Sequence, residues 1–142
     1  MKTFNAFTGL LASALVCLSA CVGPSPSKAD IDGVWRGAGG AELDVSPDGT
    51  FAMKNMPQDY VVGDGQHRLL NGRGKWRLLQ PAGQSSLLHG AHWWNVELSI
   101  SGFDGHDGRA LTAVHYAVED NRRLLFFWRD EDSGDRFELY PR

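Results

Sequence analysis

The 142-residue sequence is poor in cysteine, with only Cys17 and Cys21, which excludes the disulfide framework that staples many small secreted domains. It has no surplus of positive charge. Fourteen Lys and Arg stand against 17 Asp and Glu, for a formal net charge of −3, whereas a broad nucleic-acid surface needs a local excess of cations to displace phosphate counterions. No apolar run reaches the roughly 20 residues of a membrane-spanning helix. Beyond Ala29, apolar residues do not recur at i, i+3, i+4 and i+7 for more than about two turns, which removes long amphipathic helices. Catalytic signatures are missing too: there is no Gly-x-Ser-x-Gly elbow and no His-Glu-x-x-His helix. Gly37, Gly39 and Gly40 follow a predicted strand, but Glu42 stands where a dinucleotide fingerprint needs its third glycine. The expectation is a non-enzymatic chain with no cofactor and no resident metal.

What is present begins at the N-terminus. Lys2 supplies a positive start, and residues 6 to 20 are apolar apart from the small or weakly polar Thr8, Gly9, Ser13 and Ser19, the pattern of an export signal. The run ends in Leu18-Ser19-Ala20-Cys21. This resembles the lipobox of bacterial lipoproteins. The resemblance implies that residues 1–20 are removed, that the Cys21 sulfur receives a diacylglyceryl group, and that fatty acyl chains such as palmitate anchor the product. Val22 follows the cysteine where this family places Asp as an inner-membrane retention signal. That implies the outer membrane, facing the periplasm, in a two-membrane cell, and the outer face of the cell membrane otherwise. At about 0.8 kcal/mol per buried methylene, two or three chains hold a soluble domain at a membrane almost permanently. Residues 21–29 are read as the lipidated Cys and a flexible tether, because Val-Gly-Pro-Ser-Pro-Ser-Lys-Ala has too few large apolar groups to pack.

Residues 30–142 are expected to form one all-β domain. Trp94, Val96, Leu98 and Ile100 alternate with Asn95, Glu97 and Ser99, the period-two pattern of a strand with one wet face. Phe137 and Leu139 alternate with polar neighbours in the same way. Ala110 to Val118 and Leu124 to Trp128 are almost wholly apolar and are expected to be central strands. Turn chemistry at Pro47-Asp48-Gly49, Pro81-Ala82-Gly83, Gly102 to Gly108, Asp120-Asn121 and Asp132-Ser133-Gly134 cuts the chain into short pieces. Strands are predicted over about 32–37, 41–46, 50–55, 73–80, 92–101, 110–118, 123–129 and 135–140, with Met56 to Leu70 as a long loop that holds a helical turn. Eight such strands suggest an antiparallel up-and-down barrel or a curled sandwich.

Asp32-Gly33-Val34-Trp35, followed by a hairpin through Pro47-Asp48-Gly49-Thr50-Phe51, resembles the Gly-x-Trp first strand of lipocalin-like barrels. Gly72-x-Gly74-x-Trp76 and the closing stretch from Asp130 to Phe137 resemble small bacterial envelope lipoproteins, which carry no assigned activity.

Five tryptophans are the most distinctive feature. Trp35, Trp76, Trp94 and Trp128 are expected inside the barrel, as core or as the lining of an apolar ligand site. Trp93 is expected to point outward and, with Phe103, to mark an interaction surface. The acidic run Asp130-Glu131-Asp132-Ser133-Gly134-Asp135 lacks the full calcium-loop pattern and reads as a solvated hairpin turn. His89 and His92, with His106 or His115, read as surface histidines rather than metal ligands, because lipid would block the Cys21 sulfur. Two functions follow as expectations. One is an envelope lipoprotein whose barrel binds an apolar small molecule or an envelope component. The other is a structural or inhibitory module that contacts a protein through its rim. An enclosed apolar cavity of roughly 300 Å³ or more favours the first; a filled interior with an exposed patch near Trp93 or Phe103 favours the second.

Overall fold

Turn residues divide the chain into strands short enough to curl into one cylinder, and the computed structural model describes residues 25–79, 93–104 and 108–142 of it. The strands are β1 (Gly33–Gly37), β2 (Glu42–Val45), β3 (Thr50–Pro57), β4 (Leu69–Leu78), β5 (Trp93–Phe103), β6 (Ala110–Glu119), β7 (Arg122–Asp130) and β8 (Asp135–Pro141). Each pairs antiparallel with the next, and β8 returns to β1, so the sheet closes as an up-and-down barrel rather than a sandwich. Closure leaves no strand edge to recruit another chain. The register Trp35↔Pro141, Arg36↔Tyr140 and Gly37↔Leu139 forms the seam.

Local chemistry explains the corners. Between β2 and β3, Gly49 takes φ 89°, and the Asp48 carboxylate accepts hydrogen bonds from the Thr50 N–H at 2.9 Å and its hydroxyl at 2.6 Å. Asp120 and Asn121 both have positive φ and join β6 to β7 as a two-residue loop, the geometry whose twist matches that of the flanking strands. The acidic run is the β7–β8 turn, with Gly134 at φ 73° and the Asp132 N–H bonded to the Asp130 carboxylate at 3.1 Å.

Two short helices stand at opposite ends. Helix α1 (Lys28–Ile31) precedes β1, and helix α2 (Gln58–Val61) connects β3 to β4. Ile31 and Val61 are buried in the core from the two ends. The predicted loop from Met56 to Leu70 is therefore shorter than expected. β3 continues through Pro57 and β4 starts at Leu69, because the main-chain ladder extends through Met56↔Leu70 and Pro57↔Leu69 after an irregularity at Asn55. The expected central strands, β6 and β7, are not central, since a closed barrel has no centre strand. Their two-sided apolar character has another cause, described below. Cys21 and the segment before it, the 22–24 part of the tether, the Pro81-Ala82-Gly83 turn, and His89, His92 and His106 lie outside the described residues.

Candidate functional site

Three of the candidate tryptophans fill the half of the barrel nearer α1. Trp35 is 1% exposed, Trp76 6% and Trp94 9%. Trp35 packs edge-on to Tyr116, with ring centroids 6.3 Å apart, and Trp94 packs on the other side of the same ring. Each polar tip that the described contacts reach is satisfied: Trp35 Nε1 donates to the Ile31 carbonyl at 2.8 Å, and Trp76 Nε1 donates to the Ser46 carbonyl at 2.7 Å. Leu98, Val96, Val114, Leu125 and Leu139 occupy the middle, and Met53, Met56, Leu70, Ile100 and Phe127 the half nearer α2. All are buried. Interiors packed this way behave as solid core. The described cavities lie at the mouth or on the outer wall, one of them a groove of about 400 Å³ beside Thr50, Ala52, Arg73 and Lys75.

Trp128 is not in the barrel. On β7, Leu125 and Phe127 point inward while Leu124, Phe126 and Trp128 point outward, and alternation in an all-apolar run cannot decide which set faces the core. Outside, Trp128 joins Trp93, Phe126, His115 and Tyr140 in an aromatic cluster on the wall. Trp93 points outward as expected, half-buried against Trp128 at 6.0 Å and Phe126 at 6.4 Å. This second cluster is why β6 and β7 are apolar on both faces. Arg136 lies over the Phe126 ring at 4.7 Å and grips Glu119 with two hydrogen bonds of 2.8 and 2.7 Å. The guanidinium holds the Glu119 carboxyl below its usual range. His115 is stacked on Phe126 at 5.2 Å, and burial lowers its pKa to about 4. It is neutral at physiological pH, with Nδ1 2.8 Å from the Asn95 side-chain oxygen. Trp128 Nε1 is buried without an acceptor.

The α2 end carries the third feature. Asp59, the one buried carboxylate among the described residues, is 6% exposed. Its carboxylate faces Arg129 at 3.5 Å and His67 at 3.6 Å. Arg129 also pairs with Asp135 and lies 5.2 Å over the Tyr60 ring. Tyr60 donates its hydroxyl proton to Asp135 at 2.8 Å, a bond that raises its pKa. Together these contacts fasten α2 to the β7–β8 hairpin.

Beside α2 opens a cleft of about 300 Å³ with an apolar floor of Val62, Leu69, Leu70 and Phe103. Gln58, Arg68 and Asp104 form its edge. Val62 is 41% exposed and Leu69 61%, unusual for large aliphatic side chains grouped around one hollow. The Asp104 carboxylate is satisfied by the Asn71 backbone and side chain at 2.9–3.1 Å. Phe103 thus sits where a rim contact was expected. Val62, Leu69, Asp59 and Arg129 were missed. The only signal for the first three was the break in alternation between Met56 and Leu70, which marked an irregular connection without saying what it brings together; Arg129 had none.

Among the described residues no group of three or more His, Cys, Asp or Glu side chains is placed to share a metal ion, and no helix is long and apolar enough to cross a membrane. No family model, curated protein or solved structure matches the chain.

Proposed function

We propose that this chain is a lipid-anchored protein of a bacterial envelope, held through Cys21, whose barrel works by contact with another envelope protein and not by catalysis. The observation that carries the reading is where apolar surface is spent: the cylinder interior is occupied by its own side chains, while the accessible hollow with exposed aliphatic residues lies on the rim. A scaffold with a filled interior and an apolar rim is suited to holding a surface in place. The lipobox resemblance supports the anchor and, through Val22, a location facing the periplasm on the outer membrane, or outside the cell membrane where there is only one.

A rival reading, an apolar small molecule, is favoured by the rim cleft, whose 300 Å³ is at the lower limit for such sites. Two measurements test the proposal. Labelled palmitate is expected in the native protein and absent from Cys21→Ser, and an unacylated native amino terminus would sink the anchor. Titration with an environment-sensitive apolar dye is expected to show no stoichiometric site; saturable one-to-one uptake that Leu69→Ser abolishes would transfer the function to the rival.

A further inference from the structure

Because the strands alternate in direction, their connections fall at two ends. Helix α1 and the loops at 46–49 and 120–121 share one end; the 38–40 turn, α2, Asp104 and Arg109 beside the facing ends of β5 and β6, and the 131–134 turn share the other. The chain enters at the α1 end. With Cys21 acylated as proposed, the short tether leaves the α1 end nearer the lipid and the α2 end farther from it.

Charge is divided unequally. In the described parts of 58–68, 104–109 and 129–135 there are seven acidic residues and three basic ones. That surplus equals that of the whole chain from Cys21 onward, 17 acidic against 13 basic. Asp59 and Asp135 share the single positive charge of Arg129. Asp130, Glu131 and Asp132 have no cation within salt-bridge distance among the described residues and are exposed. This acidic crown shares its end with the cleft walled by Val62, Leu69 and Phe103.

An apolar hollow at an end of net negative charge has the layout of a protein contact, in which a desolvated anchor supplies affinity and complementary charge supplies approach rate and selectivity. The same charges repel an anionic phospholipid surface and an anionic amphiphile. We propose that the α2 end docks a protein segment that inserts one large apolar side chain into the cleft and surrounds it with lysine or arginine. This rests on the reading that the chain acts by protein contact, and it specifies the face and the partner's chemistry.

The test uses the full chain in its native cell, with a photo-crosslinking benzoylphenylalanine placed at Leu69 or, on the outer wall, at Leu111. Leu69 is expected to give a protein adduct whose crosslinked segment carries Lys or Arg on both sides of a large apolar residue. Its yield is expected to fall at least threefold in a Glu131→Gln, Asp132→Asn variant, and at least fivefold when isolated envelopes are irradiated in 500 instead of 150 mM salt. A neutral or acidic segment, a lipid adduct, or a yield indifferent to salt and to the double variant overturns the proposal. Adducts at Leu111 alone overturn it while preserving the contact reading. Absence of protein adducts at both positions overturns both.

Discussion

Trp35 and Trp128 carry the same indole into opposite surroundings. Trp35 donates its N–H to a buried carbonyl at 2.8 Å, so Trp35→Phe strands the Ile31 carbonyl and opens a gap; the expected cost is about 2–3 kcal/mol. Trp128 buries an N–H that finds no acceptor. Trp128→Phe removes that orphan and is expected to cost less than about 1 kcal/mol. Urea midpoints of the two variants compare them directly, and equal losses would refute the orphan assignment. His115 gives a second residue-scale prediction. Its folded pKa of about 4 lies below the ordinary 6.5, so the unfolded chain takes up a proton first as pH falls. The neutral histidine is thus compatible with full stability above pH 6.5, and stability is lost between there and pH 4, by up to about 3 kcal/mol. His115→Phe is expected to lose correspondingly less stability than the parent between pH 7 and pH 4.5. Parallel loss in both proteins would show that His115 does not titrate this way.

At the element scale, the close approach of β4 to β5 depends on a glycine. A Cβ at Gly74 would stand 2.0 Å from the Ser99 carbonyl oxygen, beside the register shift between Arg73 and Gly74. Gly74→Ala is expected to cost at least about 2 kcal/mol and to speed amide exchange along β4 and β5; unchanged exchange would show that the backbone yields freely. Much of the strand order was legible beforehand, since period-two alternation marks Trp94 to Ile100 and turn residues bracket most strands. Leu69 to Gly72 escaped because Leu69 points outward and Asn71 and Gly72 carry no hydrophobic signal. The side taken by Trp128 was hidden for the opposite reason: when both faces of a strand are apolar, periodicity holds no information about which one meets the core. The Asp59–Arg129 link joins residues 70 apart, and no local pattern announces a contact of that span.

For the whole molecule, the decisive contact is the β1–β8 seam. A chain ending at Ser133 lacks β8 and leaves β1 and β7 as open edges above an exposed apolar interior. It is expected to aggregate when returned to native conditions, as read by light scattering; a soluble monomer would show that the remaining strands close without the eighth. The Arg142 N–H donates to the Val34 carbonyl at 2.9 Å, so the residue that follows β8 rests against β1, the first strand of the barrel. Early hairpins can zip as they leave the ribosome, but the ring cannot be joined while its final stretch is still inside the exit tunnel. Each nascent molecule therefore stays unlocked until β8 has emerged, and under the proposed envelope location that open interval is the one in which an export machine is able to thread it.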